Sequence, residues 1–109
     1  QGLDTEVISF SALENCRKDA AKPHQREHVT PYIYENTSLF NMYSVENDGN
    51  LSRLRWTVDE NRDLQFIREI YKRLYKNGKI FFMQDVLKAL KEEPHLYEIN
   101  KDVKQKVVA

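Results

Sequence analysis

The segment "RWTVDENRDLQFIREIYKRL", residues 55 to 74, changes its apolar periodicity part-way along. Residues 54–58 are rich in β-branched and aromatic side chains, which predicts a short strand. From Asn61 onward the apolar residues recur at intervals of three and four, which predicts an amphipathic helix. These residues are Leu64, Ile67, Ile70, Tyr71 and Leu74. Asp59 therefore stands between a predicted strand and a predicted helix, and open α/β sheets bind ligands at the carboxyl ends of their strands.

Three more helices are predicted. The first covers residues 10–20 behind a Ser9 or Ser11 cap, and the second covers residues 31–36, where Pro31 suits the first turn. The third covers residues 83–93. Asn77 and Gly78 are expected to end the long helix in the left-handed conformation.

Strand signals are few and short. Residues 6–9 and 40–45 are expected to be strands, and "ENDGNLS" predicts a turn before the strand over residues 54–58. Residues 22–27 are expected to form a polar link, and residues 101–109 a mobile tail. Two or three short strands hardly make a stable open sheet. The chain is therefore expected to be part of a larger protein or a module that completes its core by forming a dimer.

Charge and composition exclude several classes of function. Seventeen basic and seventeen acidic residues leave no net charge, so no nucleic-acid or anionic-membrane partner is expected. No apolar run is long enough to span a bilayer and no signal peptide is recognisable, which predicts a cytoplasmic protein. The single cysteine, Cys16, can form neither an internal disulfide nor a zinc-binding pair of cysteines.

Two groups of polar residues are candidates for a site. Asp59 is a hard oxygen ligand suited to a divalent cation, although an acidic residue at a helix start also complements the helix dipole. Arg26, Glu27 and His28 could orient an anionic substrate, although such a cluster is usually a solvated loop. Spacing alone leaves both alternatives open, because the sequence contains no complete catalytic motif.

Four segments carry a resemblance that covers almost the whole chain. They are "GLDTEVISFSALENC" (2–16), "REHVTPYIYEN" (26–36), "LSRLRWTVDENRDLQFIREIY" (51–71) and "EEPHLYEINKDVKQK" (92–106). Together, and in this order, they resemble the carboxyl-terminal part of the cytidylyltransferases. The resemblance is to the spore-coat polysaccharide biosynthesis branch, which is related to the acylneuraminate and deoxy-octulosonate enzymes.

The resemblance implies a fold and an activity. The fold would be the α/β three-layer sandwich of the nucleotide-diphospho-sugar transferases (GT-A-like). Residues 1–109 would form the carboxyl-terminal part of a single domain and would be helix-rich, with few strands, in isolation. The complete enzyme would transfer CMP from CTP to a sugar. The family's amino-terminal, glycine-rich nucleotide-binding loop has no counterpart here, so the isolated chain is expected to be inactive.

The resemblance also implies site residues. Asp59 matches the first Asp of the family's Val-Asp-Thr-Pro-Glu-Asp-Leu signature, which helps to hold the catalytic Mg²⁺. The sequence departs from that signature directly afterwards, where Glu60 and Asn61 replace Thr-Pro. Further matches are expected at a sugar site or in structural roles. They are Asp4, Arg26, Glu27, His28 and Thr30.

Two hypotheses follow. In the first, the chain is a fragment of a cytidylyltransferase, with Asp59 as a metal ligand and with CTP and a sugar as the partners of the complete enzyme. In the second, it is a stand-alone module that self-associates, for instance as a homodimer, and Asp59 only complements the helix dipole. The hypotheses differ in whether Mg²⁺ and nucleotide matter to the chain.

Overall fold

The computed structural model describes residues 1–107, and their contacts divide them into two compact units. The first unit consists of Gln1–Asp4 and Asp48–Gln105. The second consists of Thr5–Asn47 and, among the described residues, also includes 106 and 107. The second unit is therefore inserted in sequence between two parts of the first.

Helices are the regular elements of the described residues. In chain order they are α1 (Phe10–Asp19), α2 (Pro23–Glu27), α3 (Pro31–Glu35), a 3₁₀ turn (Thr37–Leu39), α4 (Asn61–Leu74), α5 (Met83–Glu92) and α6 (His95–Glu98). No helix within residues 1–107 is both long enough and apolar enough to cross a membrane.

The second unit holds α1, α2 and α3. Of the two serines that could cap α1, Ser9 is the cap, since its hydroxyl accepts a hydrogen bond from the Ala12 N–H at 3.2 Å. The expected polar link over residues 22–27 is wrong, because Pro23 starts the helix α2. The helix expected over residues 31–36 is confirmed as α3, which Pro31 begins.

The first unit packs α4, α5 and α6 around one small apolar core. The most buried core residues are Phe66, Ile70, Val86 and Leu96. Trp56, Phe81 and Ile99 are partly buried against them. Asn77 (φ 54°) and Gly78 (φ 70°) have positive φ angles as expected, and they lie just beyond the Tyr75 cap of α4.

The expected α/β sandwich is wrong, because the described residues contain helices and no strand. All three expected strands are irregular. The stretch 54–58 comes nearest to a strand, since the Gln1 amino group donates to the Leu54 carbonyl and the Trp56 N–H donates to the Gln1 carbonyl, both at 2.8 Å. These two bonds follow the pattern of parallel strands, but one residue of pairing makes no ladder.

Gly2 explains how the amino-terminal residues approach this stretch so closely. A Cβ at Gly2 would lie 2.4 Å from the Trp56 carbonyl carbon, and its φ of +102° is a conformation that other residues rarely adopt. The Asn100 side chain donates a hydrogen bond to the Arg55 carbonyl at 3.0 Å. In a sheet, this carbonyl would accept from a neighbouring strand. The Arg55 carbonyl is thus already hydrogen-bonded to a side chain.

Candidate functional site

Asp63 is the most buried polar residue at the start of α4, with no exposed surface. Its Oδ1 accepts hydrogen bonds from Arg55 Nε at 2.8 Å and from Asn100 Nδ2 at 2.9 Å. Its Oδ2 accepts from Arg55 Nη2 at 2.9 Å and from the backbone N–H groups of Asp59 and Glu60 at 3.1 and 3.0 Å. The carboxylate is thus saturated by five donors, and it caps α4.

Arg55 is the cation of this site and is itself only 6% exposed. Two parallel hydrogen bonds fix it to Asp63 in the bidentate geometry that suits a guanidinium and a carboxylate. Its Nη1 donates to the side-chain oxygens of Gln1, at 3.1 Å, and Gln105, at 2.7 Å. Arg55 therefore brings the two sequence ends of the first unit together.

Asp59 is the accessible carboxylate of the site. Its Oδ2 lies 3.2 Å from Arg55 Nη2, and half of its side-chain surface is exposed. Asp59 and Asp63 therefore differ in role although they stand only four residues apart: Asp63 is enclosed by donors, while Asp59 faces solvent with one guanidinium contact. Of these two Asp residues, only Asp59 presents its carboxylate to a ligand.

The buried pair is ionised throughout the ordinary pH range. Hydrogen bonds from Arg55 hold the pKa of Asp63 well below its usual value, and Asn100 with the backbone N–H groups of Asp59 and Glu60 acts in the same direction. Burial opposes these effects but does not outweigh them. The Asp63 carboxylate in turn raises the pKa of Arg55.

The described residues do not by themselves fit a magnesium ion. Within residues 1–107, no group of three or more His, Cys, Asp or Glu side chains is placed to hold a metal. Magnesium commonly binds one or two carboxylates together with water and phosphate oxygens, and Asp59 offers one carboxylate that already contacts a guanidinium. Asp59 thus supplies at most a single ligand.

The remaining predicted site residues fall in both units. Asp4 belongs to the first unit, where its Oδ2 accepts from the Gly2 N–H at 3.2 Å and its side chain lines an open polar cleft with Thr57 and Gln105. Arg26, Glu27, His28 and Thr30 belong to the second unit.

Within the second unit, three of the four predicted residues lie around one cavity, and Thr30 has a different neighbour. Arg26, Glu27 and His28 line one open cavity of about 480 Å³. Arg26 Nη1 donates to the Arg17 carbonyl at 2.6 Å, which satisfies an acceptor near the end of α1. Thr30 instead lies beside Glu6, with 3.4 Å between Oγ1 and the carboxylate oxygen.

A polar cluster that sequence reasoning missed is centred on Glu35. Its carboxylate accepts from Gln25 Nε2 at 2.6 Å and from Lys22 Nζ at 3.2 Å, and it pairs with the His24 ring. These contacts, the one with His24 above all, lower the pKa of Glu35 to about 2. Gln25 also accepts from the N–H groups of Ala21 and Lys22, so the cluster fixes α2 against α3.

Arg55 and Asn100 were the other residues that sequence reasoning missed. Asn100 gave no sequence signal, since it stands 37 residues from Asp63. Arg55 did have one: an Arg four residues before one Asp and eight before another, across a helix start, has two carboxylates within reach.

Comparison with known proteins finds a relative that is described as an uncharacterized protein. The chain is 39% identical over 108 residues to an uncharacterized protein of Methanocaldococcus jannaschii. The match covers 96% of this chain and 43% of that protein, so the chain spans less than half the length of its relative. No protein-family model matches the sequence, and no solved structure matches it.

Proposed function

We propose that this chain is part of a cytoplasmic nucleotidyltransferase that transfers CMP from CTP to a sugar for surface or spore-coat polysaccharide synthesis. The observation that carries the proposal is the arrangement at the start of α4, where Asp63 is used up in binding Arg55 and Asp59 is left accessible. Asp59 is also the residue that the cytidylyltransferase resemblance matches to the metal-binding Asp of the family. Asp63 stands where the signature has its second Asp, so the two matching Asp residues have separate roles.

The chemistry assigns a limited part to this chain. A sugar hydroxyl would attack the α-phosphorus of CTP, the bond from that phosphorus to pyrophosphate would break, and the hydroxyl proton would pass to solvent or a base. Mg²⁺, when bound, would neutralise charge on the phosphates. Asp59 would contribute one carboxylate to that ion, held at the helix start by the fixed Arg55. The nucleotide-binding residues and the remaining ligands would come from outside this chain.

The length of the relative is compatible with this division of labour. Since the match covers 43% of the M. jannaschii protein, more than half of that protein lies beyond it and has room for a nucleotide-binding part. In the second unit Arg26, Glu27 and His28, which line one cavity, would help to bind the sugar, whereas Asp4 of the first unit and Thr30 are carried over from the resemblance as sugar-site or structural residues. We propose no role for these residues in the transfer of CMP itself.

Two measurements test the proposal. The full-length M. jannaschii relative, incubated with CTP, Mg²⁺ and a panel of sugars, is expected to release pyrophosphate only when a sugar is present. Release with another nucleotide but not with CTP would contradict the choice of donor, and no release with any nucleotide and sugar would contradict transferase activity.

Calorimetric titration of the present chain tests how much of the site it carries. CTP with Mg²⁺ is expected to give no measurable heat, because the described residues contain no group of three or more side chains placed to hold a metal. Magnesium-dependent heat that Asp59→Ala abolishes would instead mean that the chain holds a nucleotide site, and so would contradict the division of labour. Glu60→Ala, one residue along, is the matched control for a lost surface charge.

A self-associating module is the second candidate, and exposed apolar side chains favour it. In the first unit Ile80 is 81% and Phe82 69% exposed, and in the second Val7 is 98% and Phe10 74% exposed. Apolar side chains of this kind mark a binding face where they form a contiguous patch. This candidate predicts a dimer in sedimentation equilibrium that is insensitive to Mg²⁺ and CTP and is weakened by Phe82→Ser; a monomer at all concentrations would exclude it.

A further inference from the structure

An open cleft in the first unit is lined by polar side chains. Its volume is about 400 Å³, and the residues around it are Gln1, Gly2, Asp4, Thr57 and Gln105. All five belong to the first unit, so the cleft is complete without any group from the second. Because every side chain on its wall is polar, the cleft suits a ligand that forms hydrogen bonds.

Arg55 fixes the orientation of the two glutamines in this cleft. Its Nη1 donates to Gln1 Oε1 at 3.1 Å and to Gln105 Oε1 at 2.7 Å. A guanidinium has donors only, so each amide must turn its oxygen toward Arg55 and its NH₂ group away from it. Neither NH₂ group has an acceptor among residues 1–107. Two amide donors are thus oriented by a buried guanidinium and remain available to a ligand.

Asp4 and Thr57 add an acceptor and a hydroxyl to these donors. Asp4 Oδ2 accepts from the Gly2 N–H at 3.2 Å, which fixes the carboxylate beside the backbone. Within the part of the chain that the structure describes, Asp4 Oδ1 has no donor and the Thr57 hydroxyl has no partner. The cleft therefore offers donors and acceptors that the described protein groups do not use.

The charges at the cleft favour a neutral ligand. Asp4 repels an anion, while a single carboxylate is a poor site for a metal ion. The Gln1 amino group is positively charged, which balances Asp4, and it already donates to the Leu54 carbonyl at 2.8 Å. The Arg55 guanidinium is neutralised by its own carboxylate partners. A hydroxyl both donates and accepts, so a ligand with neighbouring hydroxyls can bind Asp4 and an amide NH₂ group at once.

We propose that this cleft binds the hydroxyl groups of a neutral carbohydrate. Asp4 accepts a hydrogen bond from one hydroxyl, and the NH₂ groups of Gln1 and Gln105 donate to its neighbours, as does the Thr57 hydroxyl. The inference rests on the proposed function for the identity of this carbohydrate as the acceptor of CMP. It adds that the acceptor is uncharged where it contacts the first unit, and it gives Asp4 a binding role.

The same guanidinium connects the cleft to Asp59. Arg55 Nη1 contacts the two glutamines of the cleft, and Nη2 lies 3.2 Å from Asp59 Oδ2. The cleft and the accessible carboxylate of Asp59 thus contact neighbouring nitrogens of one guanidinium. A carbohydrate in the cleft would have its hydroxyls on the side of the first unit that the proposed function uses.

The test is a titration of the ¹⁵N-labelled chain with D-glucose, D-galactose, D-mannose and N-acetyl-D-glucosamine. We expect millimolar binding of at least one of them, seen as shifts of the Gln1 and Gln105 side-chain NH₂ signals and of the Thr57 amide. Asp4→Ala should weaken this binding about tenfold or more, because a hydrogen bond to a charged group is lost. Asp48→Ala removes an exposed carboxylate of the same unit outside the cleft, and this matched control should leave the affinity unchanged.

Thr57→Val is a second variant, which removes one hydroxyl and keeps the branched shape of the side chain. It should weaken binding about two- to tenfold, the range of one neutral hydrogen bond. It keeps the test decisive if Asp4→Ala disturbs the backbone at Gly2. Unchanged affinity in the folded variants would overturn the proposal, and so would the absence of shifts with all four sugars.

Two further probes identify the class of ligand. D-Glucuronate differs from D-glucose by a carboxylate at C6 and should bind more weakly than glucose, because Asp4 repels it. Tighter binding of glucuronate would overturn the assignment of a neutral ligand. Shifts with cytidine and with none of the four sugars would mean that the cleft takes the ribose hydroxyls of a nucleotide, which also overturns the inference.

Failure of this inference can be distinguished from failure of the proposed function. The absence of sugar binding in the cleft, together with pyrophosphate release by the M. jannaschii relative, would overturn the carbohydrate site alone. Sugar binding in the cleft without pyrophosphate release by the relative would contradict the transfer of CMP and support the cleft as a carbohydrate site.

Discussion

The side-chain amide of Asn100 donates to Asp63 Oδ1 at 2.9 Å, although the two residues are 37 positions apart in sequence. The same nitrogen donates to the Arg55 carbonyl at 3.0 Å. One residue just beyond α6 thereby completes a hydrogen-bonded group that begins before α4. The first unit is held together at this point by buried polar contacts as well as by its apolar core.

Replacing Asp63 should destabilise the first unit strongly. Asp63→Asn leaves the Arg55 guanidinium buried without its counter-charge, and breaking a buried ion pair costs about 3–5 kcal/mol. Urea unfolding followed by Trp56 fluorescence measures the effect. Asp59→Asn is the matched control, and because its pair with Arg55 is half exposed, it should cost less than about 1 kcal/mol. Equal losses in the two variants would contradict the distinction between them.

Replacing Gly2 by Ala should release the amino-terminal residues from their place beside Trp56. The new Cβ would lie 2.4 Å from the Trp56 carbonyl carbon, with backbone rather than a flexible side chain in its way. We expect a loss of about 1–3 kcal/mol and faster hydrogen exchange at the Trp56 N–H, which bonds to the Gln1 carbonyl.

Gly78→Ala is the control for that experiment. Gly78 also has a positive φ, but a Cβ there would meet nothing closer than the Tyr75 hydroxyl at 4.0 Å. It should cost about 1 kcal/mol of backbone strain and leave exchange at Trp56 unchanged. Faster exchange at Trp56 in this variant would mean that global instability, not the contact with Gly2, sets the rate.

Acid should loosen the second unit through Glu35. Its pKa is lowered from about 4.5 to about 2, so its carboxylate stabilises the folded state above pH 4.5 and loses that effect as the pH falls toward 2. The side-chain amide signals of Gln25, which donates to Glu35, should titrate with a midpoint near pH 2. Glu27→Gln, which lies on α2 with Gln25, should leave this midpoint unchanged. A midpoint near pH 4.5 would mean that the contacts with His24, Gln25 and Lys22 do not lower the pKa of Glu35.

Trp56→Phe should cost little or be slightly stabilising. The Trp56 indole nitrogen is buried, and no residue among 1–107 accepts its hydrogen bond. An unsatisfied buried donor costs about 1–3 kcal/mol, which offsets much of the apolar contact that the smaller ring loses. Thermal unfolding by circular dichroism measures the difference. A loss above about 2 kcal/mol would show that the indole N–H has a partner, such as a bound water.

The sequence predicted the helices better than their buried faces. The periodicity from Asn61 located α4 correctly, yet the most buried residues of that helix are Asp63, Phe66 and Ile70. Leu64 and Tyr71, which were expected on the apolar face, are 37% and 51% exposed. The buried face of α4 therefore differs from the predicted one, since it includes Asp63, which pairs with Arg55. A prediction that counts only apolar residues cannot identify a buried ion pair.

The expected strands failed for a related reason. β-Branched and aromatic residues favour a strand only where a neighbouring strand is present, and pairing depends on distant parts of the chain. The stretch around Trp56 forms its strand-like backbone hydrogen bonds with Gln1, and the Asn100 side chain donates to the Arg55 carbonyl. The special position of Asp59 could be read from sequence, and the spacing of Arg55 allowed a contact with it, but the burial of Arg55 against Asp63 and Asn100 could not be assigned without the fold.

The two glutamines that meet at Arg55 come from opposite ends of the chain. During synthesis on a ribosome Gln1 and Arg55 emerge well before Asn100 and Gln105, so the pair of Arg55 and Asp63 forms while two of its partners are still missing. The first unit can thus complete its polar interior only after Gln105 has been synthesised. The inserted second unit, whose helices lie within residues 10–39, has all of its helical residues available far earlier.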